Sequence, residues 1–434
     1  MRDLSRRRFL ALAGGVGLGL SAWPHDGLAR RKRSKASANL PLSDPYGHTN
    51  GIAKLPAWDG ALNTDSSPGR MLMFRGTRKH DYYGSGSLGT DLKMQWRFRM
   101  ADFATTKHGK PTVWQGTGWT GQTLKVGDYI FVGSTGGHFH CFEATSGRLV
   151  WVYTAERCFK GSPCFYRNRI YVPNVDNRVR CIDATNGKLI WSWRGPSDID
   201  SSPCVSAGVL YIGGEDGAVK AFEPDTGKLL WRLPFGVGKG EKPGSGGIES
   251  SLAIVDGRAY FGHLDGHVRA VDLASHKTAW ATRIGGDTDA SPLVVGDRIY
   301  IGCQDGSPSF FCLNRTSGAI IWSRAIRRGI WSTAAVAGDR IVVGGNDGEL
   351  YCLAAADGAI LWQHHVGAGI WSSPAVVDGK VVFGSYDRWL RMLDLKDGKL
   401  LWRYDMGGRS HSAPCIEGGR IWVGSASGWY YCFG

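Results

Sequence analysis

Ser372-Ser373-Pro374-Ala375-Val376-Val377-Asp378-Gly379-Lys380-Val381-Val382-Phe383-Gly384, followed by Leu390 to Trp402, is one statement of a pattern that recurs along most of the chain. A Ser-Ser-Pro element opens an apolar run, a Gly/Asp turn interrupts it, and a second apolar run ends at Gly. A hairpin turn such as Asp216-Gly217, Asp265-Gly266 or Asp347-Gly348 follows, and such turns require φ > 0, which Gly accepts. A third run leads through a second turn (Thr145-Ser146-Gly147, Thr226-Gly227) into a fourth that carries a tryptophan. The tryptophans Trp151, Trp191, Trp231, Trp280, Trp322, Trp362 and Trp402 are spaced by 40, 40, 49, 42, 40 and 40 residues. Four short strands in about 40 residues describe a propeller blade.

The last unit, Ser412 to Gly434, has only three strands, and the missing fourth lies upstream in Leu92-Lys93-Met94-Gln95-Trp96-Arg97-Phe98. Pairing the two completes an eighth blade and removes exposed strand edges. The expectation is an all-β, eight-bladed β-propeller of four-stranded blades over 91–434, closed by an N-terminal strand that completes the last blade. Residues 1–38 read as a leader and 39–90, rich in Pro, Gly, Ser and Asp, as an irregular strap.

Ser5-Arg6-Arg7-Arg8-Phe9-Leu10 matches a twin-arginine signal, and the apolar stretch from Leu10 to Ala22 after it is too short to span a bilayer. Export to the periplasm or outside the cell is expected, with no transmembrane span once the leader is removed. Nine basic residues against Asp3 and Asp26 put half of the net +14 into that leader. The remaining basic residues are scattered and accompany no nucleic-acid motif, so nucleic acid is excluded as a partner. The ten cysteines read as buried hydrophobes. Cys141, Cys181, Cys312, Cys352 and Cys432 share a repeat slot with Ala221, Ala270 and Met392, and Cys164, Cys204 and Cys415 share another with Leu293 and Ala375.

Ligands gather where the innermost strands of a propeller begin. The residues just before the Ser-Ser-Pro element are Trp119, Lys160, Asp200, Glu249, Asp289, Trp331, Trp371 and His411. Two positions earlier stand Thr117, Cys158, Asp198, Gly247, Asp287, Gly329, Gly369 and Arg409. An acidic wall (Asp198, Asp200, Glu249, Asp287, Asp289) therefore adjoins aromatic platforms (Trp331, Trp371), flanked by Lys160, Arg409 and His411. Such a rim suits a protein, peptide or glycan partner, while a calcium site, which needs 6–8 oxygens, is only partly supplied. Solvation of strand starts is the competing account of the same residues. Arg232 to Gly247 and Met100 to Gly118 are long loops on the same face, placed to act as lids. His138 and His140 lie on one face of a strand and read as structural, and His263 and His267 as surface residues beside the Asp265-Gly266 turn. No haem-attachment site, nucleophile elbow or metalloprotease helix occurs, and no catalytic residue is assigned.

The template, with Val219-Lys220-Ala221-Phe222-Glu223 and Thr226-Gly227-Lys228-Leu229-Leu230-Trp231, resembles the repeat of pyrroloquinoline-quinone-type propellers over about 92–434. Met73-Phe74-Arg75-Gly76 to Tyr82-Tyr83-Gly84 resembles the lead-in of some exported members. The resemblance implies three functions: a non-catalytic binding or scaffold propeller, a quinoprotein dehydrogenase using the quinone (PQQ) with Ca²⁺, or an outer-membrane assembly factor like the propeller lipoprotein of the barrel-assembly machinery. The dehydrogenases' calcium, carboxylate and tryptophan set is loosely matched by Asp200, Glu249, Asp289 and Trp371. Their vicinal disulfide has no counterpart, because no Cys-Cys pair occurs, and their blade-docking tryptophans are matched only in part. No lipid-anchor cysteine follows the leader, which weighs against the assembly factor. The expectation is the binding or scaffold module, with no cofactor assigned.

Overall fold

The computed structural model describes residues 55–58, 70–107, 110–114, 116–117, 121–236, 246–304 and 306–434. Residues 1–38, read from sequence as a leader, lie outside these residues, as does most of 39–69. Eight four-stranded antiparallel sheets surround an axis, seven of them running in sequence order from the innermost strand outward, while the eighth takes its outermost strand from the start of the propeller. Blade 1, for instance, comprises Leu124–Val126, Tyr129–Gly133, His138–Glu143 and Leu149–Thr154. Closure is as the pattern requires: Met94–Arg99 pairs antiparallel with Trp429–Phe433, placing Trp96 opposite Cys432 and Phe98 opposite Tyr430.

Every blade has a register shift between its two outer strands, beside the tryptophan and its partner: Trp191 faces Cys181, Trp362 faces Cys352 and Trp402 faces Met392. The small or flexible slot shared by Cys, Ala and Met thus lies beneath an indole. In seven blades the indole N–H donates to a carbonyl of the next blade, as Trp151 to Ala184 (3.1 Å), Trp322 to Ala355 (3.2 Å), Trp362 to Leu395 (2.9 Å) and Trp96 to Ala144 (3.1 Å). In six of these seven the turn glycine of the next blade meets the ring face: a Cβ at Gly358 would stand 2.7 Å from Trp322. The blade without the indole bond is that of Trp231, which stacks at 4.5 Å on His276, the residue replacing that glycine. The ring–carbonyl bond depends on the neighbouring blade, which no single repeat displays.

All ten cysteines are buried and none is in a disulfide. His138 and His140 are buried, and burial, aided by His138, lowers His140 to about 3, leaving it a neutral ring stacked on Phe142. His263 is not the surface residue expected: it is fully buried and bonds the Gly236 carbonyl, because the chain after blade 3 folds back over it. Within Met100–Gly118, expected as a plain loop, Phe103–Lys107 pairs with Lys110–Trp114 in an antiparallel hairpin. The β-branched Thr105, Thr106, Thr112 and Val113 suit those strands. Residues 237–245 of the second long loop lie outside the described residues.

Residues 70–88 plug one end of the central channel. The backbone of this segment bonds to the innermost strands: Met71 O accepts from Lys125 N, Leu72 O from Phe165 N, Arg78 O from Ile254 N and Lys79 O from Val294 N. His80 bonds the Pro292 carbonyl at 2.7 Å, and the Tyr83 hydroxyl accepts from Val336 N at 2.8 Å. The fully buried Arg75 donates to the carbonyls of Ala334 and Pro374, each at 2.6 Å, and lies 4.2 Å over Tyr83. Innermost strands are sheet edges, and buried backbone groups there need partners, which the plug provides.

Candidate functional site

At the other end of the channel the innermost strands begin, and their hydroxyls tie neighbouring blades together. Backbone N–H groups donate to the next blade's side chain from Gln122 to Ser162, Ser162 to Ser202, Ser202 to Ser251, Ser251 to Ser291, Ser291 to Thr333 and Thr333 to Ser373, at 2.8–3.1 Å. Ser372 Oγ donates to Ser412 O and Ser412 Oγ to Gly121 O, closing the circle. The Ser-Ser-Pro element is thus the hoop that holds the rim.

A second set of bonds fixes the loop before each hoop residue. In all eight blades a hairpin N–H donates back to it: Thr135 to Gly116, Val175 to Cys158, Glu215 to Asp198, Leu264 to Gly247, Gln304 to Asp287, Asn346 to Gly329, Tyr386 to Gly369 and Ala426 to Arg409, at 2.8–3.2 Å. In blades 2 to 8 the acceptors are the positions read from sequence. In blade 1 the acceptor is Gly116 rather than Thr117, and five residues separate it from Gln122 where the other blades have three. The first unit carries two extra residues, and Trp119 among them lies outside the described residues.

These bonds bring hairpin residues against the rim, a second ring that sequence reasoning missed. Its signal was available, since Glu215 and Gln304 stand just before the Asp of an Asp-Gly turn and Tyr386 just before Asp387-Arg388 at the same place in its repeat. Asp200 and Glu249 meet Glu215, Asp289 accepts from Gln304, and Trp371 meets Tyr386.

On the polar side the Lys160 ammonium bonds Asp200 and, at 3.0 Å, Glu249 Oε2. Oxygens of Asp200, Glu215 and Glu249 lie within 4.8 Å of one another. Glu215 is 1 % exposed, and its Oε2 accepts from Gly246 N at 2.7 Å. Burial, then the charges of Glu249 and Asp200, hold Glu215 well above the ordinary carboxylate range. Asp198 is pushed up to about 7 by burial and by Asp200, against Arg157 and Lys160. Burial works against the Lys160 charge, but Asp200, Glu249 and Glu215 outweigh it and its pKa stands well above the usual value.

On the aromatic side Trp331 and Trp371 are in contact, with ring centroids 3.4 Å apart. Tyr386 lies 4.5 Å from Trp371 and 4.6 Å from His411, and His411 meets Trp371 edge-on at 4.9 Å. Arg409 sits 5.2 Å over Tyr386. Burial, then Arg409 and Lys160, depress His411 far below its usual pKa, so its ring is neutral. The Tyr386 hydroxyl is buried and has no hydrogen-bond partner among the described residues. Asp287 and Asp289, next round the rim, stand between the acidic cluster and Trp331.

The family described as outer membrane protein assembly factor BamB matches residues 93–324 and 312–431. No curated protein sequence matches the chain. Among solved structures, a europium-containing methanol dehydrogenase is similar at 14 % identity and TM-score 0.67, over 83 % of this chain and 90 % of that one. Quinohemoprotein alcohol dehydrogenase from Comamonas testosteroni is similar at 13 % identity and TM-score 0.70, over 88 % and 82 %. BamB from Moraxella catarrhalis is similar at 15 % identity and TM-score 0.54, over 79 % and 99 %. At such identities these likenesses show the fold, which hosts unrelated chemistries.

Proposed function

The chain belongs to the PQQ-like repeat propellers described as outer membrane protein assembly factor BamB, and from that membership we propose that it is an exported binding or scaffold module whose ligand or partner is held at the rim where the innermost strands begin. One observation carries the reading: a charged half (Lys160, Asp198, Asp200, Glu215, Glu249) and an aromatic half (Trp331, Trp371, Tyr386, His411) share one rigid rim, while residues 70–88 close the channel behind it. A blind, rigid cup with both stacking faces and charged groups is the arrangement that binding sites use. Export by the twin-arginine route is part of the proposal. Among the described residues no helix is long and apolar enough to cross a membrane.

The calcium–quinone alternative fits these residues poorly. Two of the three carboxyls that would hold the ion, Asp200 and Glu249, already bond the Lys160 ammonium. Trp331 and Trp371 touch each other, and no adjacent cysteines exist to form the opposing wall. No step is derived through that cofactor.

The test is thermal shift against peptides, oligosaccharides and the quinone with calcium, for the wild type and for Asp200→Asn/Trp371→Ala. A peptide or oligosaccharide that raises the wild-type Tm by several degrees and leaves the variant unmoved supports the reading. Stabilisation by the quinone with calcium, together with dye reduction, would replace it with the dehydrogenase.

A further inference from the structure

Resting on the rim reading, we propose that the ligand is a neutral, hydroxyl-bearing ring, the hexose unit of a glycan, lying on Trp331 and Trp371 with its hydroxyls bonded to Asn346 and Tyr386. Both partners come from hairpins that bond back to the rim: Asn346 N donates to Gly329 O at 3.0 Å in blade 6, and Tyr386 N to Gly369 O at 3.1 Å in blade 7. A Cβ at Gly369 would stand 3.2 Å from Trp371 Nε1 and 3.6 Å from the Asn346 carbonyl oxygen, so hairpin and indole adjoin. Asn346 is 3 % exposed and its Nδ2 donates to Arg328 O at 2.9 Å, while its buried Oδ1 has no hydrogen-bond partner among the described residues. The buried hydroxyl of Tyr386, whose ring centre lies 4.5 Å from that of Trp371, also has none among them. Gln304, at the same place in blade 5, spends its amide on Asp289. Native proteins leave few buried polar atoms unbonded, and two on adjacent blades beside half-buried indoles mark a place where a ligand supplies the bonds.

The chemistry of the two groups selects the class. Asn346 Oδ1 only accepts, whereas the Tyr386 phenol, which burial holds well above its usual pKa, donates as well as accepts. Hydroxyls match both, because each can give a proton to one and take one from the other. A carboxylate has no proton for Oδ1. An ammonium or guanidinium would meet the Arg409 guanidinium, 5.2 Å over Tyr386. A hydrocarbon ring would stack but leave both atoms unbonded. The C–H face of a sugar lies against the electron-rich face of an indole while its hydroxyls reach outward to such partners. Both polar atoms are covered, so the Trp371 ring turns aside as the sugar enters.

Titration of the intact protein with maltohexaose, cellohexaose and chitohexaose, followed by calorimetry and tryptophan fluorescence, provides the test. Trigalacturonate and a capped Ala-Trp-Ala tripeptide are the charged and aromatic alternatives. The expected result is binding of at least one neutral hexasaccharide, at least tenfold tighter than either alternative, with a change in fluorescence. The tightest hexasaccharide identifies the sugar and its linkage. Tyr386→Phe removes only a hydroxyl that the fold does not use; it should keep the wild-type Tm and lose about tenfold in affinity, the loss of one hydrogen bond. Trp331→Ala should weaken binding by removing part of the platform. A lowered Tm with unchanged affinity in Tyr386→Phe assigns the hydroxyl to the fold and overturns the inference. Tighter binding of trigalacturonate or the tripeptide, weakened by Trp331→Ala, overturns the hydroxyl-ring class and leaves the rim as the site. Hexasaccharide binding unchanged in both variants overturns the inference and moves the site away from the rim. Absence of binding by any hexasaccharide at millimolar concentration overturns the inference alone, since peptides at the rim are tested by the thermal-shift panel.

Discussion

Lys160 Nζ and Glu249 Oε2 stand 3.0 Å apart across 89 residues of sequence, and the same ammonium bonds Asp200 from the blade between them. Three blades are thereby pinned at one point of the rim. The side chains are 22 %, 6 % and 12 % exposed for Lys160, Asp200 and Glu249, so water does little to screen the pairing. Lys160→Met leaves carboxylates buried without their cation and should lower stability by about 2–4 kcal/mol. Adding Glu249→Gln should recover part of that loss, as chemical denaturation of the single and double variants would register; additive losses would show the groups to be uncoupled.

Asp198 gives the rim a pH dependence with a definite sign. Its folded pKa of about 7 lies above the ordinary 3.8, so the folded protein holds a proton that the unfolded chain releases across that interval. Stability contributed at this position therefore falls as pH rises from about 4 to 7. Asp198→Asn should be neutral near pH 4 and stabilising by about 1–2 kcal/mol at pH 8, after allowance for partial exposure. Tm measured against pH for both proteins checks this, and parallel curves would contradict it.

Arg75 is the keystone of the plug. Arg75→Met removes the donors to the Ala334 and Pro374 carbonyls and should cost about 2 kcal/mol, the loss of charged hydrogen bonds being offset by relief of a buried charge. Arg75→Lys should not restore the wild-type Tm, because a single ammonium lacks the planar fork that reaches both carbonyls.

Gly302 lies under Ile330 of the next blade, and a Cβ there would come within 2.5 Å of the isoleucine. Gly302→Ala should destabilise by about 1–3 kcal/mol through overpacking. Gly89→Ala, whose nearest neighbour would be 4.0 Å away, should change little. Equal effects in a melting experiment would refute the blade-to-blade account.

None of the ten thiols should react with a disulfide reagent in the native protein, and all should react once it is unfolded. All ten are buried, and where the shift is resolved, as at Cys141, Cys158 and Cys415, burial raises the thiol pKa. A fast-reacting native thiol, counted by absorbance, would contradict the assignment.

Sequence alone determined the blade count, the four-strand unit and the closing strand, because turns, strand periodicity and the tryptophan step are local signals that recur every 40 or so residues. It also named the residues preceding the hoop in blades 2 to 8, among them Lys160, Asp200, Glu249, Trp371 and His411. Only the tertiary structure decided what those residues meet. Glu215 and Tyr386 join the rim through hairpin bonds to Asp198 and Gly369, His263 is buried by a loop that returns over it, and Arg75 closes the channel against blades 6 and 7. The His263 and Arg75 contacts join segments that no repeat contains together, and the rim contacts of Glu215 and Tyr386 bring in side chains of neighbouring blades. Charge compensation and burial depend on such distances in space, which a one-dimensional pattern does not carry.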